Sequence, residues 1–96
     1  MSYAVVAIYH VQPGNEEAVE EVLREMTKLT RAEPGCEFYT AHRSPEEGNV
    51  FFLYESYRDE EAFKAHASSD YFERYIKNTA WPLLEDRKRI LGTPIA

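Results

Sequence analysis

Apolar residues fill almost every position from Tyr3 to Val11 (YAVVAIYHV), a run rich in β-branched and aromatic side chains that predicts a strand. Gln12, Pro13 and Gly14 punctuate its end as a turn. From Asn15 the period changes. Val19, Val22, Leu23, Met26 and Leu29 recur at three- and four-residue intervals while Glu17, Glu20, Glu21, Arg24, Glu25 and Lys28 fall elsewhere, so the pattern predicts a helix with one covered stripe. Asn15 stands where an N-cap belongs, Glu16 and Glu17 suit the positive end of the helix dipole, and Glu33, Pro34 and Gly35 stop the helix. Cys36 to Arg43 and Asn49 to Tyr57 predict two strands of a hairpin around the turn formers Ser44 to Gly48. Asp59 predicts the cap of a short helix from Glu60 to Ala67. Asp70 with Glu73 fits a capping box for another helix, whose residues Tyr71, Phe72, Tyr75 and Ile76 share a face. Pro82 ends that helix because the residue before a proline, Trp81, is biased away from helical backbone. Arg87 to Leu91 predicts a short final strand.

The order strand, helix, strand, strand, helix, strand is the split βαβ pattern of an α+β, ferredoxin-like fold, an antiparallel sheet with its helices on one face. Strand one then poses a problem of burial. Tyr3, Val5, Ala7 and Tyr9 line one side and Ala4, Val6 and Ile8 the other, so both faces are apolar although helices can cover only one. A bare apolar face of that size is an association site, and a second copy packed about a two-fold axis would close it. The pattern therefore predicts a homodimer. With 96 residues the chain is expected to form a single domain over residues 1–96.

Charge narrows the partners. Seventeen acidic against eleven basic residues give a net charge of -6, a field that repels nucleic-acid phosphates and anionic lipid. No stretch approaches a spanning helix and the N-terminus has no leader pattern, so no membrane partner and a cytoplasmic location are expected. The lone Cys36 reads as a small buried hydrophobe. The one basic cluster, Arg87, Lys88 and Arg89, could be a small anion site but reads more simply as a solvated strand edge.

Motifs for nucleotides, zincins, hydrolase elbows and thiol redox chemistry are absent. His10, His42 and His66 lie on different elements without the local spacing of metal ligands. His66 is the candidate for chemistry, because it follows Phe63 by three and Ala62 by four, on the inward side of its helix. A half-buried imidazole there can act as a base toward an acidic substrate. The alternative is a core histidine hydrogen-bonded to backbone. Glu55 is the second candidate, an interior carboxylate flanked on its own face by Leu53 and Tyr57. It could orient a histidine or bind a substrate hydroxyl, or it could form a cross-strand salt bridge to Arg43. Among Tyr39, Phe51, Phe52, Tyr54, Phe72, Tyr75 and Trp81, most belong to the core and some could wall a pocket for a flat ligand.

Glu33-Pro34-Gly35-Cys36, Phe38-Tyr39, His42-Arg43, Phe52-Leu53-Tyr54-Glu55, Ala65-His66 and Ser69-Asp70-Tyr71-Phe72 together resemble the antibiotic biosynthesis monooxygenase domain, in particular its small quinol-monooxygenase-like members. The resemblance covers nearly the whole chain and implies a dimeric α+β barrel. It further implies oxygenation of a small aromatic substrate by dioxygen without flavin, haem or metal, hence no cofactor. His66 would assist deprotonation of the substrate hydroxyl and Glu55 would hydrogen-bond His66 or substrate. Tyr39, Tyr54, Phe72 and Trp81 would hold the ring in a dry cavity. Haem-degrading relatives use an asparagine, a tryptophan and a histidine where this chain has Ala7, His66 and Ile76, a departure that speaks against that activity. An isomerase of a phosphorylated signalling sugar derivative shares the Glu55 and His66 positions and is one alternative. A non-catalytic dimeric barrel that binds a hydrophobic small molecule is another.

Overall fold

In the computed structural model, which describes all residues from Met1 to Ala96, β1 (Tyr3–Val11) buries Val5, Ala7, Tyr9 and Val11. Ala4, Val6, Ile8 and His10 point the other way and are half-buried. Alternation along this central strand fixes the two sides of the sheet. Gly14 follows with φ of 91°, a left-handed conformation that suits glycine in the turn leading to α1 (Glu16–Arg31). The helix lays Val19, Val22, Leu23 and Met26 on the sheet as its period demands, with Thr30 in place of the expected Leu29 as the last fully buried position.

The hairpin of β2 (Cys36–Arg43) and β3 (Val50–Tyr57) comes next, followed by α2 (Glu60–Ala67). A π-wound helix, α3 (Phe72–Ala80), a 3-10 turn (Trp81–Leu83) and β4 (Leu84–Gly92) complete the chain. The sheet order is β2-β3-β1-β4 with every pair antiparallel, which is the ferredoxin-like topology. The main core gathers Tyr9, Val11, Val19, Leu23, Met26, Phe51, Leu53 and Ile76 between sheet and helices. Each such side chain contributes about 1.5–3 kcal/mol by leaving water.

Several local expectations are corrected. Asn15 occupies the N-cap position but its side chain makes no cap bond, because Glu16 Oε1 reaches back to the Gly14 N–H at 2.9 Å and Asn15 Nδ2 turns to Gln12. Asp59 does cap α2, accepting the Ala62 N–H at 2.8 Å. The Asp70 capping box is not formed. The Ser69 hydroxyl accepts the Phe72 N–H at 3.2 Å while donating to the His66 carbonyl at 2.7 Å, so it already serves the helix start. The helix α3 does end before Pro82, at Ala80, but Trp81 keeps helical backbone at φ -55°, ψ -42° and opens the 3-10 turn that holds the proline, against the bias expected of the residue before it. β4 begins at Leu84 rather than Arg87, since its edge position needs no apolar pattern at Glu85 and Asp86. Cys36 is half-buried rather than buried.

The face away from the helices carries Phe38, Phe52, Tyr54 and Ile90, which are 46%, 39%, 42% and 54% exposed, beside the half-buried Ala4, Val6 and Ile8. Aromatic contacts run across it: His42 stacks on Phe52 at 4.6 Å and Phe38 tilts against Tyr54 at 5.2 Å.

Candidate functional site

At one end of the covered face a small cluster of Val5, Tyr57 and Ala62 seats α2 on the sheet. Gly35 makes that seat possible, because a Cβ at Gly35 would collide with the Cβ of Ala62. One turn after Ala62, His66 enters the interior and is only 2% exposed. Its Nδ1 lies 2.9 Å from Glu33 Oε2, and the Tyr71 hydroxyl donates to the same oxygen. Glu33 Oε2 thus accepts from two donors, which favours the tautomer with its hydrogen on Nδ1; in the neutral ring that tautomer leaves the Nε2 lone pair free.

Nε2 faces Glu55 Oε1 at 3.8 Å, too long for a hydrogen bond. Glu55 comes from β3, opposite Val5 on one side and Tyr39 on the other, so it shares the covered face. The Tyr57 hydroxyl donates to Glu55 Oε1 at 2.6 Å. Burial pushes the Glu55 carboxyl above its ordinary range, with the Tyr57 hydroxyl and the His66 ring pulling it partly back. The expected bridge from Glu55 to Arg43 does not form. Arg43 sits opposite Phe51, four residues back along β3, and pairs with Glu17 at 2.9 Å and Glu20 at 3.2 Å.

The rings of Tyr57, Phe72 and Tyr39 pack round the imidazole with centroids at 5.1, 5.2 and 5.9 Å. Beyond His66 and Glu55 opens a cleft of about 310 Å³, within the range of small-ligand pockets. Val5, Ala7 and Tyr9 form its floor, Phe63, Phe72 and Trp81 its walls, and Arg87, Lys88 and Arg89 of β4 its mouth. Burial raises the Tyr9 hydroxyl to about 12, so that group stays a neutral donor. A larger groove between α1 and β2, about 610 Å³, is lined mainly by charged and polar residues, and its Arg43 and Arg24 are engaged with Glu20. No three His, Cys, Asp or Glu side chains converge as metal ligands would.

Of the residues singled out from sequence, His66, Glu55, Phe72 and Trp81 come together at the cleft. Tyr39 does not line it; fully buried opposite Glu55, it stands behind the imidazole. Tyr54 is excluded by strand alternation, since it neighbours Glu55 and so projects from the other face. Four participants were missed: Glu33, Tyr57, Tyr71 and Tyr9. Glu33 sits in a turn that reads only as a helix stop. The alternation that selected Glu55 also puts Tyr57 on its face, and that signal was available.

The family profile of antibiotic biosynthesis monooxygenases matches residues 2–78. Rv0793 of Mycobacterium tuberculosis, a protein named provisionally as a monooxygenase, is 33% identical over 72 residues, covering 75% of this chain and 70% of the relative. Its solved structure superposes with a TM-score of 0.92 over 100% of this chain and 97% of that one. PA3566 of Pseudomonas aeruginosa is 30% identical with a TM-score of 0.88, over 99% and 95% of the two chains. No helix of the chain is long and apolar enough to cross a membrane. By that match along most of its length, the chain belongs to the antibiotic biosynthesis monooxygenase family.

Proposed function

We propose that the protein is a cofactor-independent monooxygenase that acts on a quinol or other small hydroxyaromatic with dioxygen, and that it works as a homodimer. The observation that carries this reading is the imidazole of His66, fixed through Nδ1 by Glu33 and presenting an unpartnered Nε2 beside an aromatic-walled cleft. Nε2 takes the proton of a substrate hydroxyl. Glu55, kept short of a hydrogen bond to Nε2, is free to accept from a second hydroxyl or from the imidazolium once formed.

Deprotonation makes the ring a better electron donor. For a naphthohydroquinone, the anion passes one electron to dioxygen, and the resulting radical and superoxide join in a bond from a ring carbon to oxygen. The ring hydroperoxide then loses water to give a hydroxynaphthoquinone. All four electrons that reduce dioxygen come from the substrate; one oxygen enters the product and the other leaves as water. Phe72, Phe63 and Trp81 hold the ring edge-on or stacked and keep bulk water from the reactive anion.

Dimerisation rests on the apolar sheet face, where Val6, Ile8, Phe52, Tyr54 and Ile90 form a continuous surface that a two-fold copy would bury. One observation favours a second reading. Arg87 and Arg89 at the cleft mouth would suit the phosphorylated substrate of an isomerase.

An oxygen electrode separates the readings. Chelator-treated protein should consume dioxygen with a naphthohydroquinone above the spontaneous rate, and His66→Ala should lose about 10²–10⁴-fold of that rate, the usual worth of a general base. Uptake undiminished in His66→Ala would remove the histidine from the mechanism. No uptake with any quinol would leave an isomerase, if turnover persists without oxygen, or a non-catalytic binder.

A further inference from the structure

We propose that Arg87 and Arg89 make an anion-binding mouth to the cleft, so that the preferred ligand is a two-ring hydroxyaromatic acid with its carboxylate far from the reacting hydroxyl. The inference rests on the reading that this cleft is the substrate site, and it names the substrate class.

Arginine ion pairs elsewhere in the chain engage Arg24, Arg43 and Arg58 with nearby carboxylates. Arg87 and Arg89 have no such partner although the chain carries an acidic excess. Their contacts are aromatic. The Arg87 guanidinium lies 3.5 Å over the Trp81 ring and that of Arg89 lies 5.7 Å from the Phe63 centroid. Both contacts leave the N–H edges of the guanidinium unspent, and both orient it beside the walls of the cleft. The acidic neighbour Asp86 belongs to the other side of the strand, where it meets His10 at 3.7 Å. Lys88 pairs with Ile8 and projects from that other side too, so the two arginines are the cations of the rim, against the single cleft carboxylate of Glu55.

Register gives the spacing. Arg89 pairs with Ala7 and Arg87 with Tyr9, while Glu55 pairs with Val5, so the arginines stand one and two side-chain steps along the sheet from Glu55 and two strands across. With strands about 4.8 Å apart and same-face residues about 6.8 Å apart, the Arg89 and Arg87 positions lie about 12 and about 17 Å from Glu55 along the sheet, and the side chain of Arg89, reaching over the cleft toward Phe63, brings its guanidinium to on the order of 10 Å from the His66–Glu55 end. That span is about the length of a naphthalene ring system carrying one group at each end. The small side chain of Ala7 between them leaves room for the ring, and the hydroxyl of Tyr9, a residue only 6% exposed, offers a donor on the floor. A sugar phosphate would satisfy the arginines but leave the faces of Trp81, Phe72 and Phe63 without a partner ring.

Isothermal titration calorimetry of the whole protein tests this with a hydroxynaphthoate whose carboxylate and hydroxyl lie at opposite ends, the same naphthol without the carboxylate, and inorganic phosphate. The acid should bind about tenfold or more tightly than the naphthol, the worth of charge-assisted hydrogen bonds, and phosphate should bind far more weakly than either. In the Arg87→Gln, Arg89→Gln double variant the two ring ligands should bind alike. Salt gives an independent check on wild type: raising ionic strength from about 0.01 M to about 1 M, which shortens the Debye length from about 30 Å to about 3 Å, should shrink the advantage of the acid. Equal affinities in wild type, an advantage that survives both substitutions or high salt, or phosphate binding as tightly as the acid would overturn the proposal. An arginine-dependent preference without oxygen uptake would uphold the anion site while the oxygenase reading falls; oxygen uptake without the preference would do the reverse.

Discussion

Each face of the sheet departs from the usual division of polar and apolar groups in its own way. Within its apolar core the face covered by helices holds two hydrogen-bonded groups, Glu33 with His66 and Tyr71, and Glu55 with Tyr57, which face each other at 3.8 Å. The uncovered face holds Val6, Ile8, Phe52, Tyr54 and Ile90. Stability of a lone chain asks for neither the polar cluster inside the apolar core nor the bare apolar surface outside it, because buried polar groups need exact partners and exposed apolar surface is a liability. Where water is excluded, the hydrogen bonds of a histidine to a carboxylate are strong and hold a fixed geometry, which a proton-transfer site requires. Where apolar side chains meet water, a second copy of the chain is the economical cover. On the proposed reading, one face serves chemistry and the other assembly.

The largest effect should come from charging the assembly face. Ile8→Glu would bury an unpaired carboxylate on each side of a two-fold axis at about 3–5 kcal/mol apiece, weakening association by on the order of 10⁴-fold or more. Light scattering should then report a mass near 11.2 kDa in place of about twice that value. A wild-type chain that scatters as a monomer would break the comparison at once.

Glu33→Gln should be next. It keeps the shape but replaces a charge-assisted bond worth about 1.5–3 kcal/mol, so kcat should fall by about ten- to a hundredfold with KM little changed. A loss confined to thermal stability would make Glu33 merely structural.

Asp59→Ala should destabilise the chain by about 1 kcal/mol through loss of its cap bond to Ala62, whereas Asn15→Ala, where no cap bond exists, should cost less. Paired thermal melts measure both.

The smallest effect concerns Glu55 and has a definite sign. Burial raises its folded-state carboxyl above the ordinary value of 4.5. Over the window between the two values the folded chain holds a proton that the unfolded chain has released, so stability falls as pH rises and levels off above the folded value. Glu55→Gln removes that titration. Its urea midpoint should vary less with pH across that window than wild type does; an unchanged slope would mean that the shift is absent.

Much of this was legible in the chain itself. The bounds of β1, β2 and α2 follow from alternation, turn residues and the Asp59 cap, and the apolar double face of β1 foretold a bare sheet surface. His66 and Glu55 could be found because each breaks an apolar pattern at an inward position. What stayed hidden depends on distant pairing. Glu33 meets His66 thirty-three positions later, and no local period reports that. Arg87 and Arg89 look like a solvated edge until β4 pairs with β1 and swings them over Trp81 and Phe63. Tyr54 was an avoidable error, since neighbours in a strand cannot share a face and Glu55 had already claimed the inner one.

If the covered face carries out oxygen insertion as proposed, labelled dioxygen will leave its mark in the product. Naphthohydroquinone turned over under heavy-isotope dioxygen and quenched at once should yield a hydroxynaphthoquinone bearing one labelled oxygen, with the second label in water. An unlabelled quinone formed together with hydrogen peroxide would rule out oxygen insertion, because the site would then pass electrons to dioxygen without joining it to the ring.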